Sequence, residues 1–318
     1  MKKSIIALAI AGAMTAPAIA MADATLYGSF RMNLTKADKA SASFANNATR
    51  VGIRGTVDLG LEDTKGIFHW EQGLDTETGA LAGGRYASLG ATGSWGTAVG
   101  GRIDHFTWNY AGGVTDLFAS GSGDILSVDY LGSGSGRADR RQSNTIAYVS
   151  PKMSGFQAGI GGVFMGDAGT QKDNEIDGYN LGAQYSAAGL TVGAGYGAVK
   201  AAKSANVYAA DSNLWSLAAT YKIEALTLSA AYERAKDKTT NTTDKGYSVA
   251  GRYEVDGLGA TLAYSQVKET NQAKGTRVQA EVYNRLGRGM VSAGYVDNNK
   301  NARGGNTDRF YVGYRLDF

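Results

Sequence analysis

Taken in steps of two from the carboxyl end, residues 310–318 separate into two sets. Phe318, Leu316, Tyr314, Val312 and Phe310 fall on one face, with Asp317, Arg315, Gly313 and Tyr311 on the other. Period two belongs to a strand with one greasy and one polar face. The same alternation opens the chain: Leu26, Gly28, Phe30 and Met32 stand against Tyr27, Ser29, Arg31 and Asn33. It returns where Val51, Ile53, Val57 and Leu59 oppose Arg50, Arg54, Thr56 and Asp58. In a soluble sandwich the arginine face would simply be solvated, whereas in a closed barrel it lines water.

Composition narrows the choice. The chain of 318 residues holds 45 Gly, 18 Tyr, 9 Phe and 4 Trp but only 2 Pro. Disordered chains are poor in aromatics and rich in Pro, and helices do not tolerate so much Gly in their interiors. A mean hydropathy of -0.24 is that of a soluble protein, yet alternation keeps this average near zero even when one face meets lipid. There is no Cys, so disulfides, thiolate metal sites and thiol nucleophiles are unavailable. The formal charge of +3 shows no basic bias toward nucleic acid.

Residues 1–22 begin with Lys2 and Lys3, continue through an apolar run from Ile5 to Ala16 and end in Ala20, Met21 and Ala22. That order predicts a secretory signal peptide, too short in its greasy part to span the ~30 Å of a bilayer core as a helix. The mature chain, residues 23–318, is expected to begin at Asp23, with cleavage after Ala20 as the other option.

Connections alternate in length. Short turns at 62–66, 93–96, 187–189, 224–225, 256–257 and 287–289 are separated by longer polar loops at 36–47, 75–84, 166–177, 236–246, 268–275 and 297–308. A membrane meander has this asymmetry and a sandwich has no reason to keep it. Counting runs of alternation predicts an all-β, transmembrane antiparallel barrel of about 16 strands with both termini on the periplasmic side. Inner-face Gly182, Gly193, Gly195 and Gly197 would leave holes in a packed core and are expected to border water. The stretch 105–141 breaks the rhythm, but its middle keeps Leu117 and Phe118, so it is expected to pack against something.

The motifs Ala24-Thr25-Leu26-Tyr27-Gly28, Thr49-Arg50-Val51-Gly52-Ile53-Arg54-Gly55, Trp70-Glu71-Gln72-Gly73-Leu74-Asp75 and Tyr148-Val149-Ser150-Pro151, in this order and spacing, resemble Gram-negative general porins of the Neisseria and Burkholderia type. The likeness covers essentially the whole mature chain. Val57 stands where the family usually has an acidic residue, and Leu316 where it often has His. The terminal pattern of Tyr311, Gly313, Leu316 and Phe318 resembles the strand that outer-membrane barrels present to their insertion machinery. The resemblance implies a homotrimer in the outer membrane, with 105–141 as an inward-folded third loop. It also implies a pore constriction in which Arg31, Arg54 and Arg102 face Asp116, Asp124 and Asp129.

The expected function is a water-filled channel for passive diffusion of small hydrophilic solutes and ions, with lipid as its surroundings and no cofactor. By strand parity the inner face carries a slight basic excess, which leans toward anions. The alternative is a barrel enzyme of protease or lipase type. It would need a positioned His, and only His69 and His105 exist.

Overall fold

The computed structural model describes residues 23–121, 140–166, 176–200, 211–270, 273–299 and 308–318. The signal segment lies outside them. The strands run β1 (Asp23–Ala37), β2 (Ser43–Asn46), β3 (Arg50–Leu61), β4 (Thr64–Leu74), β5 (Leu81–Gly93) and β6 (Gly96–Asp104). After the long third loop come β7 (Arg141–Val149), β8 (Phe156–Val163), β9 (Gly178–Ala187), β10 (Leu190–Val199) and β11 (Ser212–Ile223). The last six are β12 (Leu226–Asp237), β13 (Thr242–Val255), β14 (Leu258–Lys268), β15 (Gly275–Leu286), β16 (Gly289–Asn298) and β17 (Arg309–Asp317).

All 17 belong to one antiparallel sheet in which β2 and β3 follow each other along β1, so the closed barrel has 16 staves. β17 returns to β1, with Ser29 opposite Asp317 and Ala37 opposite Arg309. Closure matters in lipid, where no water can satisfy an exposed strand edge. The break between β2 and β3 is a bulge centred on Ala48, whose φ is 60°. Thr49 Oγ1 stitches it shut by accepting from Arg31 N at 2.9 Å and donating to Arg31 O at 3.0 Å.

Tight turns gather at one end. Ala188 and Gly189 (φ 48° and 81°), like Asp256 and Gly257 (φ 50° and 84°), have the paired left-handed conformations that suit two-residue hairpins. Strands at the other end extend further than their polar composition predicts. β5 starts at Leu81 rather than 86, β12 runs to Asp237, and β13 begins at Thr242. Lys, Thr and Asn there read as loop, but cross-strand hydrogen bonding continues once a side chain can point to water or lipid headgroups.

Burial alternates along the strands and separates the two faces. Outward residues such as Leu26, Leu89, Ile146, Leu258 and Leu262 are more than 60% exposed, a ring that only hydrocarbon would cover without cost. Aromatic rows bound this ring: Trp215, Tyr232, Tyr247 and Tyr264 near the long loops, and Tyr185, Tyr221, Tyr253 and Tyr314 near the tight turns. On β13, Tyr247 and Tyr253 are roughly 20 Å apart at strand rise, close to the height of an outer-membrane apolar band. Among the described residues no helix is long and apolar enough to cross a membrane.

The described part of the third loop, 105–121, runs along the inner wall. Trp108–Gly112 is π-helical and Gly113–Thr115 adds a helical turn. Phe106 and Tyr110 pack with Ala147. Further on, Thr220 Oγ1 of β11 donates to Val114 O at 2.7 Å, Phe118 packs on Ala263, and Ala119 packs on Tyr283 and Met290.

This overturns the expectation that the inner glycines border water. A Cβ on Gly193 would lie 1.5 Å from Tyr110 O, one on Gly195 2.5 Å from Thr107 Cα, and one on Gly197 2.2 Å from the His105 ring. A Cβ on Gly182 would lie 2.6 Å from the Tyr110 ring. The glycines are a track on which the loop backbone lies.

Candidate functional site: a charged inner wall facing the third loop

The constriction residues expected from the sequence are distributed rather than clustered. Arg31 on β1 is buried, its backbone pinned by the Thr49 hydroxyl, and its Nε donates to Ser29 Oγ at 2.7 Å. Ser29 in turn donates to Asp317, which also accepts from Arg315 Nε at 2.7 Å. Arg54 on β3 lies over the Tyr27 ring, 5.0 Å from its centroid. Arg102 at the end of β6 donates to Gly84 O at 3.0 Å, Arg141 O at 2.9 Å and Ser143 Oγ at 3.0 Å.

Asp116 is exposed, directly after the helical turn in the third loop. The loop there touches β11, half a circuit from the stave that carries Arg54. Asp124 and Asp129 lie outside the described residues. Of the terminal-strand residues, Leu316 and Phe318 point outward at 42% and 43% exposure. Tyr311 points inward, fully buried, and donates to Glu281 at 2.8 Å. Gly28 leaves the space that the Phe318 ring fills, since a Cβ there would come within 2.2 Å of it.

Sequence parity left out Arg85, Arg140 and Arg141. β4 and β5 shift register between Glu71 and Gln72, so Arg85 is an extra residue in a bulge. Arg85 pairs with Glu71, while the next residue, Tyr86, donates to Asp104 at 2.6 Å. Two successive side chains therefore aim into the lumen, which strict alternation forbids. A second shift, between Gly101 and Ile103, lies beside Arg102 and the start of β7. There Asp104 meets Arg140 and Arg141 at 3.6 and 3.7 Å, while Arg140 lies over the Trp108 ring and Arg141 over Tyr86. Irregular pairing of this kind carries no hydrophobic signature.

The result is a wall on β1, β3, β4, β5 and β17 where guanidiniums outnumber carboxylates. Glu71 is shared by Arg85 and, at 3.6 Å, Arg50; Tyr27 Oη also donates to it at 2.8 Å. Arg31 has Arg50, Arg85 and Arg315 as charged neighbours, with Asp317 as the acid among them. Arg31, Arg85 and Arg315 are held by hydrogen bonds to Ser29, Glu71 and Asp317, and Arg54 by stacking on the Tyr27 ring. At the edge of this wall, where Arg315 Nη1 donates to Ala119 O at 3.2 Å and Asn47 Nδ2 to Ser120 O at 3.0 Å, the third loop is latched by Glu281 on β15. That carboxylate accepts from Ala119 N at 2.9 Å, from Ser120 N at 3.3 Å and from the Ser120 hydroxyl, besides Tyr311.

The two histidines serve different places. His69 Nε2 is 2.6 Å from Tyr27 Oη, and its ring stacks on Tyr86 with centroids 4.5 Å apart. His105 is buried where the loop meets Gly197, with Nδ1 2.7 Å from Thr107 Oγ1. Burial pushes the His105 imidazole down to about 3 and the nearby Tyr110 phenol up to about 12. Asp75, in the turn after β4, is held below the usual carboxylate range by the Thr78 hydroxyl and the Glu77 amide. Among the described residues no group of His, Asp or Glu could hold a metal ion.

Known proteins agree with this geometry. The family model described as Gram-negative porin matches residues 7–318. An outer membrane porin protein of Bordetella pertussis is 27% identical over 289 residues, covering 79% of this chain and 73% of the relative. The major outer membrane protein P.IB of Neisseria gonorrhoeae is 28% identical over 208 residues, 60% of this chain and 55% of the relative. The solved anion-selective porin from Comamonas acidovorans superposes with a TM-score of 0.76 at 19% identity, over 94% of this chain and 100% of that one. A closed barrel with an oily exterior, an inner wall of fixed charge and a family match along nearly all its length place this chain in the Gram-negative porin family of outer-membrane channels.

Proposed function

We propose that the channel passes small hydrophilic solutes by passive diffusion and favours small anions. The observation that carries this reading is the wall of Arg31, Arg50, Arg85 and Arg315, which holds only Glu71 and Asp317 against four guanidiniums. A surplus of fixed positive charge in a narrow, low-dielectric passage raises the local concentration of anions. Arg54 and Arg102 extend it along the β3 and β6 side, with Asp116, Asp124 and Asp129 supplying the opposing charge from the loop. Greasy solutes are disfavoured because they would strip ordered water from these groups. The protein acts as a homotrimer, and residues 1–22, with Lys2 and Lys3 before a short apolar run, are a signal removed on export.

Planar-bilayer recording across a salt gradient tests the reading. Current steps grouped in threes and a reversal potential of anionic sign are expected. Arg50→Gln with Arg85→Gln should move that potential toward cations, and the shift should shrink as salt screens the wall. A cation-selective native channel would overturn the proposal. Mass measurement of the exported chain should place its first residue at Asp23 or Met21.

A further inference from the structure

One part of the inner wall is not explained by its balance of charge. Toward the tight-turn end of β1 and β3, next to Arg31 and Arg50, stand Tyr27 and Arg54. Tyr27 lies across Gly52 of β3, since a Cβ on that glycine would come within 2.7 Å of its Cζ and Oη. The phenol end therefore rests on the strand, and the ring borders the lumen. Its hydroxyl is committed to β4: it donates to Glu71 at 2.8 Å and lies 2.6 Å from His69 Nε2. With that contact so short and the ring centroids 6.0 Å apart, Tyr27 and His69 meet end to end rather than face to face. His69 in turn stacks on Tyr86, whose hydroxyl is held by Asp104 at 2.6 Å.

Arg54 leans on the Tyr27 ring without covering its centre. Its Cζ is 5.0 Å from that centroid, whereas Arg140 closes over Trp108 at 3.5 Å. Carbon atoms in contact lie about 3.5–4 Å apart, so the longer distance leaves the middle of the Tyr27 face bare. Arg54 is also exposed and makes no hydrogen bond or ion pair among the described residues. By contrast Arg31, Arg85 and Arg315 each spend an N–H on a neighbour. An uncommitted guanidinium beside a bare aromatic face matches a flat solute that carries a carboxylate on its edge. The anchored hydroxyls of Tyr27 and Tyr86 hold the rings in place beforehand, which removes an ordering cost that binding would otherwise meet.

We propose that Tyr27 and Arg54 form a site inside the pore for aromatic carboxylates, planar anions of the benzoate class. The carboxylate takes two parallel hydrogen bonds from the Arg54 guanidinium, and the solute ring lies on the Tyr27 face. A saturated acid of the same charge and size is drawn in equally by the arginines but cannot lie flat, so it is held less. The site rests on the anion-favouring reading for entry of the solute. Its own signature is a difference between two acids of equal charge.

Planar-bilayer recording in potassium chloride tests it, with benzoate and cyclohexanecarboxylate added at one pH as blockers of the chloride current. In the native channel benzoate should reach half-block at a concentration about three to ten times lower, as expected for one aromatic contact. Tyr27→Leu should erase that ratio, and Tyr27→Phe, which keeps the ring, should preserve it. Arg54→Gln, at a side chain that makes no hydrogen bond in the wall, should raise the half-block concentration of both acids about tenfold. Equal half-block by the two acids in the native channel would overturn the site. So would a ratio unchanged in Tyr27→Leu, a ratio lost in Tyr27→Phe, or block unchanged in Arg54→Gln. The reversal potential in chloride alone reports separately on the charge of the wall. Cation selectivity there with the benzoate ratio intact would sink the anion reading and leave the site standing.

Discussion

The two halves of the inner wall are built from opposite materials. From β17 through β1 to β5 the wall carries Arg31, Arg50, Arg54, Arg85, Glu71 and Asp317 on long side chains, and among the described residues the third loop reaches it through its tip, where Arg315 Nη1 donates to Ala119 O at 3.2 Å and Asn47 Nδ2 to Ser120 O at 3.0 Å. From β8 to β10 it is nearly smooth, with Gly159, Gly182, Gly193, Gly195 and Gly197, and the third loop lies on it. The contrast shows that a glycine on the lumen side does not mark water. Water is marked by charge, because a guanidinium needs solvent or a carboxylate around it. Glycine marks the place where another backbone comes too close for any side chain.

The largest effect should follow from destroying the smooth half. Gly193→Val places a side chain where Tyr110 O lies 1.5 Å from a would-be Cβ, against backbone that cannot swing away. The loop should detach, with single-channel conductance rising and stability falling by about 1–3 kcal/mol or more. Gly251→Leu, on the outward face of β13 where a Cβ would meet only Leu228 Cδ2 at 3.4 Å, is the control. If conductance stays native in Gly193→Val, the track has no bearing on pore width and the comparison between the two halves fails.

A middle-sized effect is expected at the latch. Glu281→Ala removes the acceptor for Ala119 N, the Ser120 hydroxyl and Tyr311, at a loss of about 2 kcal/mol for charge-assisted bonds. The loop then keeps its hold at the glycines, while its tip is left with the bonds from Arg315 to Ala119 O and from Asn47 to Ser120 O. Current noise should rise more than mean conductance, and recordings at fixed voltage will separate the two.

A further effect should come from acid. His105 is neutral in the folded protein down to about pH 3, whereas in the unfolded chain it takes up a proton near its ordinary value. Its contribution is therefore level above about pH 6.5 and falls steadily as pH drops toward 3, because only the unfolded state binds the proton. Thermal unfolding from pH 7 to pH 4 should fall more steeply in the native protein than in His105→Gln. Parallel curves would show that burial at Gly197 places no constraint on the charge of the ring.

Much of this was legible in the sequence, and the reason is physical. Hydrophobic alternation is imposed by lipid on one side and water on the other, so Phe310 through Phe318 and the stripes of β1 and β3 declare themselves residue by residue. The long third loop showed itself by keeping Leu117 and Phe118 where a solvated loop has no use for them. What stayed hidden depends on register. Arg85 enters the lumen only because a bulge beside Glu71 turns two successive residues the same way. Arg234, Lys245 and Lys268 become a cluster only when strands that read as polar loop prove to be paired. No periodicity in one strand encodes its alignment with the next.

The seam between β1 and β17 sets an order on the birth of the molecule. Every other stave pairs with a neighbour close in the chain, so hairpins can form as soon as both arms exist. The edge of β1 must wait for Phe318, whose amide donates to Gly28 O at 3.1 Å while Gly28 N donates back to its carbonyl at 3.2 Å. Until that stave arrives the ring has two raw borders, and a cut within it leaves the first one unmatched as well.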